Sequence, residues 1–275
     1  MIKTDFHTHT TSSDGILSPK EMVQRAFHND VKYLAITDHD TISGLEEALD
    51  EAKKLNIKLI PGVELSTNHN KESIHILGFF KDDSYKNPEF TEYLQTLKDK
   101  RKIRAERMVE KLKEVFNIEI SIENVLNRGK DVVARPHIAQ EIISAGYPYE
   151  TEYIFQNFIG KDCPAFVPTN KLSTEDGVKL LKKYNASVFL AHPIFIKKSP
   201  LEDFLTMDFD GIEAIYFQNT KEEEDALINF AIENNLLVSG GSDCHGDLVG
   251  DLRHGDIGCM TMPEDFMDNI LNNIL

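Results

Sequence analysis

The sequence predicts an α/β fold, a mostly parallel sheet or barrel that carries an inserted helical subdomain. Three observations lead there. Short apolar runs alternate with helical patterns over the first 80 residues and again from residue 173 onward. The stretch between 88 and 164 shows helical periodicity and little strand character. Metal-ligand side chains recur at or just beyond the ends of successive apolar runs, and in a parallel barrel those ends open on one face.

The elements follow in order. Residues 2–6 are a short apolar strand that delivers Asp5-Phe6-His7-Thr8-His9. Ser18-Pro19-Lys20-Glu21 reads as a capping box with proline at the first helical position, so a helix is expected over 19–29. A second strand is expected over 33–37. Ser43-Gly44-Leu45-Glu46 reads as a second capping box, opening a helix to residue 55. Strands are expected over 58–63 and 73–79. Residues 90–116 read as one long amphipathic helix or two, and within them residues 98–113 carry eight basic and three acidic side chains. Shorter helices are expected over 121–127 and 136–144. Ser173 caps a helix to residue 184. Strands are then expected over 187–191, 211–215 and 236–239, with a helix over 221–234. This divides the chain into a first barrel part (1–87), an inserted helical cap (88–165) and a second barrel part (166–275).

Composition limits the function. The chain has 275 residues, 41% of them hydrophobic, enough for a sizeable core. No apolar run is long enough to span a bilayer, and the N-terminus lacks the basic lead and apolar stretch of a secretory signal, so a cytoplasmic location is expected. The formal net charge of -16 argues against binding duplex nucleic acid or anionic membranes. A small phosphorylated substrate stays compatible with it, because bound divalent cations invert the local field. Cys163, Cys244 and Cys259 show neither metal spacing nor a disulfide framework. Cys244, between Asp243 and His245, is expected to point away from both as a small buried thiol.

His7 and His9, at i and i+2 on an extended segment, face the same side and can grip one ion. Asp14, His39, Glu64, His75, His192, Asp243 and His245 add to them, giving six imidazoles and three carboxylates. One ion does not need so many groups; two or three divalent ions sharing bridging carboxylates fit better. A nitrogen and oxygen set without thiolate suits Zn, Mn or Fe. His28, His69, His137 and His254 do not share the placement, and Asp40 reads as a supporting or capping group beside His39.

These motifs carry a family resemblance. D-F-H-T-H-T-T-S-S-D-G at the start, I-T-D-H-D-T, P-G-V-E-L-S, I-H-I-L-G, L-A-H-P and G-S-D-C-H-G together resemble the PHP (polymerase and histidinol phosphatase) family. The resemblance spans the chain apart from the insert. It implies a distorted (β/α)7 barrel with a trinuclear site. One ion would be held by His7, His9, Glu64 and Asp243, a second by Glu64, His75 and His192, and a third by Asp14, His39 and His245. Some members carry histidine where Asp14 stands, which implies an oxygen-richer third site here. The helical insert with V-A-R-P-H-I-A is similar to the stand-alone nucleotide phosphoesterase branch, which implies hydrolysis of nucleoside 3',5'-bisphosphates or trimming of short RNA from its 5' end. A phosphatase for another small phosphomonoester, such as histidinol phosphate, is the alternative. A non-catalytic regulatory module is a third reading, against which the complete ligand set argues.

The chemistry expected is attack by a hydroxide bridging two ions, with Glu64, Asp243 and His192 as catalytic ligands. No protein nucleophile is required, and Ser12 and Ser13 read as polar loop residues. Arg135, ahead of Pro136-His137 at a helix start, reads as a phosphate clamp or a structural salt bridge. His137 reads as a phosphate contact and proton donor to the leaving group, or as a capping residue. Arg101 and Arg104 on the basic run either select a second phosphate or form a solvated face, and Lys171 is a weaker candidate of the same kind.

Overall fold

The computed structural model describes residues 1–169, 171–246 and 254–274. Strands β1 (Ile2–Asp5), β2 (Tyr33–Ile36), β3 (Lys58–His69), β4 (Glu72–Phe80), β5 (Leu172–Ser173), β6 (Ala186–Leu190), β7 (Gly211–Tyr216), β8 (Leu237–Gly241) and β9 (Thr261–Met262) form one sheet. Its order is β8-β7-β6-β4-β3-β2-β1-β9, with β5 paired to β3. The helices are α1 (Pro19–His28), α2 (Leu45–Leu55), α3 (Pro88–Phe116), α4 (Ile122–Arg128), α5 (Arg135–Ser144), α6 (Thr151–Ile154), α7 (Thr174–Lys183), α8 (Lys221–Glu233) and α9 (Glu264–Ile274). The sheet curls until the Phe6 amide donates to the Gly240 carbonyl at 3.1 Å and the His9 amide to the Cys244 carbonyl at 2.9 Å. The segment leaving β1 thereby meets the segment leaving β8, and the barrel-shaped sheet is nearly closed.

The parallel expectation holds for β1–β2–β3 and β6–β7–β8. It fails at β4, which is antiparallel to both β3 and β6. Only Asn70 and Lys71 separate β3 from β4, both at positive φ (47° and 61°). Two residues close a hairpin and cannot hold a parallel crossover. The expected strands over 58–63 and 73–79 also extend to twelve and nine residues. Glu64 and His75 therefore stand inside long strands and not at strand ends. The register places Ser66 opposite His75, so Glu64, Ser66 and His75 share one face of the hairpin.

The Ser18 capping box forms: its side chain accepts from the Glu21 amide at 3.2 Å, and the Glu21 carboxylate accepts from the Ser18 amide at 2.8 Å. The second box does not. Gly44 is the N-cap of α2 and makes no side-chain capping bond. The Ser43 hydroxyl instead donates to Asp131 at 2.7 Å, joined there by Thr41 at 2.6 Å and Lys98 at 2.5 Å. A carboxylate distant in sequence thus outcompetes the local cap.

Two apolar cores organise the chain. The larger lies in and around the sheet and takes in Phe90 and Leu94 from the first turns of α3. The smaller gathers Ala105, Met108 and Leu112 of α3 with Val125, Ile138, Ile142 and Phe158. The long pattern over 90–116 is one helix of 29 residues. Unforeseen by the sequence reading are α6, the π-helical turn Phe155–Ile159 after it, β9 and α9. The buried Met267, Ile270 and Ile274 dock α9 on the barrel core, and burial of each such side chain contributes about 2 kcal/mol.

Candidate metal centre

The segment after β1 is held extended on both edges. Thr8 donates through Oγ1 to the Ala35 carbonyl at 2.7 Å, and its amide donates to Thr37 Oγ1 at 3.1 Å. On the other side Thr8 bridges Cys244 in parallel. His7 and His9 consequently share one face, and both are fully buried. The loop behind them is tight: a Cβ at Gly15 would stand 2.2 Å from the His9 carbonyl oxygen. Asp38 tethers that loop by accepting from the Thr10 amide (2.7 Å), the Thr10 hydroxyl (2.7 Å) and the Ser13 hydroxyl (2.6 Å). Ser13 is therefore committed to structure.

All nine side chains nominated as ligands converge. Glu64 is the centre, approached by five imidazoles: His39 Nδ1 at 2.7 Å, His75 Nδ1 at 2.9 Å, His192 Nε2 at 3.1 Å, His9 Nε2 at 3.3 Å and His7 Nε2 at 3.4 Å. Asp243 Oδ1 lies 3.1 Å from His9 Nε2 and 3.4 Å from His7 Nε2. Asp14 Oδ1 lies 3.4 Å from His245 Nε2 and 3.9 Å from His39 Nε2. His254 joins them, although the sequence reading set it aside. Its ring stacks on His245 at 4.0 Å, and its Nε2 lies 3.9 Å from Asp243 Oδ2. Of the other set-aside histidines, His28 hydrogen-bonds the Gln24 carbonyl and His69 faces Asp203, both away from the cluster.

The donor atoms fit bound cations. Among the described residues, His7 Nε2, His9 Nε2, Asp14 Oδ1, His39 Nδ1 and Glu64 Oε2 are all buried without a partner in hydrogen-bond geometry, close as some of them stand to one another. Such groups are costly unless something satisfies them, and five in one cluster call for positive charge with open coordination. Convergent donor sets include His9 with Asp14, His39 and His245; His7 with His9 and Asp243; His7 with Glu64 and His192; and His39 with Glu64 and His75. Each set offers nitrogen and oxygen donors without a thiolate. Cys244 is buried beside the site, and burial and Asp5 push its thiol up to about 12.

The electrostatics predict how the protein without metal responds to pH. Burial pushes the Glu64, Asp14 and Asp243 carboxyls up, but the surrounding imidazoles hold all three well below the usual carboxylate range. Burial, with His245 and His39, pushes His9 down to about 3, and burial takes His75 to about 4. Against burial, Asp14 and Asp243 lift His245 to about 10. His9 and His75 bind fewer protons folded than unfolded, so their contribution to stability rises with pH up to the ordinary imidazole range. His245 binds more when folded, so its contribution is present below that range and is lost as pH rises toward about 10. Maximum stability of the metal-free protein is expected near pH 6.5, with Tm falling from there to pH 9. Metal binding needs deprotonated ligands, so the Tm gain on adding Mn²⁺ should grow over the same interval. Thermal melts at four pH values with and without Mn²⁺ check this; a gain that shrinks with pH would contradict it.

The sequence reading missed the side chains that aim the cluster. Glu213, buried within β7, accepts from His7 Nδ1 at 3.0 Å through one oxygen and from the His192 amide at 2.8 Å through the other. His192 sits at φ 29°, ψ 63°, a strained conformation for a non-glycine residue that this bond holds in place. Tyr216 donates its hydroxyl to Asp243 Oδ2 at 3.0 Å. Asp5 accepts from Ser242 through the amide (2.9 Å) and hydroxyl (2.6 Å), fixing the turn into Asp243. A signal for Glu213 was present: a lone glutamate inside the apolar run Gly211–Tyr216 is rarely buried without a partner. Glu213→Gln is expected to lower kcat 10- to 100-fold, the usual scale for a carboxylate that orients a metal-bound histidine. Kinetics at saturating Mn²⁺ test it; unchanged kcat would reduce Glu213 to a packing role.

A cationic group borders the cluster. Arg101 donates from Nε to Asp40 Oδ2 at 2.9 Å and from Nη2 to the same oxygen and to Ser66 Oγ at 3.0 Å, so Asp40 has a supporting role. Arg104 donates to the Val167 carbonyl at 2.7 Å. Arg135 stands over the Phe155 and Phe166 rings at 5.5 and 6.0 Å, and burial and Arg101 act on its charge with no carboxylate set against them among the described residues. Burial, with Arg135 and Arg101 as neighbours, pushes Arg104 down to about 10. Burial and Arg101 push Lys171 down to about 8, and its Nζ donates to Ser73 Oγ at 2.6 Å. His137 Nδ1 accepts from the Ala134 amide at 3.0 Å, which caps α5 and leaves Nε2 to carry the ring proton.

Fold and site together define a barrel-shaped enzyme whose converging imidazoles and carboxylates suit divalent metal, with a group of cationic side chains beside them. Residues 5–102 match the PHP domain. A 5'-3' exoribonuclease of Haemophilus influenzae is 34% identical over 254 residues, covering 88% of this chain and 90% of its own. A 3',5'-nucleoside bisphosphate phosphatase of Chromobacterium violaceum is 27% identical, covering 89% and 88%. A Bifidobacterium adolescentis structure classed as a metal-dependent phosphoesterase aligns with TM-score 0.86 and 28% identity, over 98% of this chain and 96% of its own. The chain belongs to the PHP family of phosphoesterases.

Proposed function

We propose that this protein is a metal-dependent phosphoesterase that hydrolyses phosphate esters of small nucleotides, either nucleoside 3',5'-bisphosphates or the 5' end of short RNA. One observation carries the substrate assignment. Arg101, Arg104, Arg135 and Lys171 crowd against one another beside the Glu64 cluster, and among the described residues no carboxylate offsets the Arg135 charge. Mutually repelling, partly buried cations are stabilised by a multiply charged anion. The relatives named for nucleotide and RNA substrates support the same choice.

The nine converging ligands would hold two to three ions of Mn, Zn or Fe in the grouping expected from the sequence. Bound cations supply Lewis acidity toward the phosphoryl oxygens and make water a competent nucleophile near neutral pH. The chain's own residues do the rest. Glu64, Asp243 and His192 fix the reacting centre. Arg135 and Arg104 orient the phosphate, and Arg101, tied to Asp40, sets their spacing. His137, with its proton on Nε2, donates to the leaving oxygen. The helical part of the chain, residues 88–165 in this reading, supplies the substrate contacts while the barrel supplies the metal ligands.

The test is phosphate release by the Mn-reconstituted protein from adenosine 3',5'-bisphosphate, AMP, a 5'-phosphorylated RNA trimer and histidinol phosphate. Preference for the bisphosphate or the trimer supports the nucleotide reading, and their ratio ranks the two substrates. Preference for histidinol phosphate moves the protein to a small-monoester phosphatase. No turnover with metal bound would overturn the enzymatic reading.

A further inference from the structure

We infer that the groove beside Phe166, one helical turn beyond the cationic cluster, receives the nucleotides that follow the scissile phosphate in a single-stranded RNA substrate. The inference rests on the phosphoesterase reading above and narrows its substrate class. Phe166 is the junction. Arg104 lies 5.4 Å and Arg135 6.0 Å from its ring centroid, on the side of the phosphate-binding group. The same residue lines a groove of about 430 Å³ whose walls are Val167 and Pro168 on the loop and Arg107 and Lys111 on α3.

Helix geometry makes the path continuous. Arg101, Arg104, Arg107 and Lys111 are spaced three, three and four residues apart, so they form one stripe along α3. At 1.5 Å per residue the stripe runs about 15 Å from the metal centre outward. Lys111 donates to the Pro164 and Phe166 carbonyls at 3.2 and 3.4 Å, holding the loop that carries the ring against the helix. Arg107 is exposed. An aromatic ring flanked by cations suits a base and its phosphates whatever the sequence. Glu110 and Glu114 line the same groove. The cations of the groove thus stand among carboxylates, which favours a short segment of phosphate chain over a long one. On a protein of net charge -16, the stretch 98–113 with its eight basic and three acidic side chains is a place where a short phosphate chain can lie. In this arrangement the phosphates of a mononucleotide bisphosphate fall to Arg104 and Arg135, one turn before Arg107.

The experiment compares wild type with R107A/K111A, and with R107A alone because Lys111 also ties down the loop. For each, kcat/KM is measured on a 5'-phosphorylated RNA trimer and on adenosine 3',5'-bisphosphate at two salt concentrations. The expected result is a loss of about tenfold on the trimer with a shallower salt dependence, and less than twofold on the bisphosphate. Equal losses on both substrates, or no loss on the trimer, overturn the inference. If wild type hydrolyses neither substrate, the phosphoesterase reading fails first. Fluorescence anisotropy of a labelled trimer then decides the groove by itself: weaker binding by R107A supports it, and equal affinity overturns it.

Discussion

Glu64→Gln is expected to lower kcat/KM on the order of 10³-fold or more, about 4 kcal/mol of transition-state stabilisation. The carboxylate stands within 3.4 Å of five imidazole nitrogens, and among the described residues no other side chain touches as many of the proposed ligands. An amide keeps the shape but loses the charge and one acceptor oxygen. Its N–H would compete with a cation for the imidazole lone pairs. The folded structure should survive, because β3 and β4 pair through backbone bonds that the change leaves alone. Metal content by elemental analysis should fall together with activity. Activity near wild type with full metal content would remove Glu64 from the centre, and Asp243→Ala offers an independent check on the ion shared with His7 and His9.

The second large effect belongs to Arg135. Arg135→Ala should lower kcat/KM about 100-fold, roughly 2.7 kcal/mol, as expected when a charge-assisted contact to phosphate disappears. Metal content should stay at the wild-type level. Removing one of the mutually repelling guanidiniums should also raise the thermal stability of the substrate-free protein slightly, because burial and Arg101 already disfavour the Arg135 charge. A structural role would show the reverse, with lower Tm and unaltered turnover of the folded fraction. Metal lost along with activity would also count against the phosphate role.

Much of this was legible because local rules and global fold agree in the barrel. Ser18 and Glu21 announce α1, and Ser173 announces α7 through its bond to the Asp176 amide at 3.1 Å. The convergence of the candidate ligands was legible because imidazoles and carboxylates recur on segments that a barrel brings together. Where the reading failed, a distant partner decided. Ser43 looked like a cap until Asp131 took its hydroxyl. β4 looked like another parallel step, although two residues at the Asn70-Lys71 turn leave no room for a crossover. Glu213 carries its message only in three dimensions, by reaching His7 and His192 at once. His254 is unremarkable in sequence, and only the fold stacks it on His245.

The single helix α3 has a mechanical consequence. Over 29 residues it spans about 44 Å, with Phe90 and Leu94 embedded in the larger core and Ala105, Met108 and Leu112 in the smaller. A rod anchored at both ends does not swing unless one anchorage melts. Lys98 and Arg101, between the anchored stretches, clamp it to Asp131 and Asp40. The smaller core is thus held in one position against the barrel from the moment the chain folds, and the arginines of α3 stand at a set distance from the Glu64 cluster before any ligand arrives.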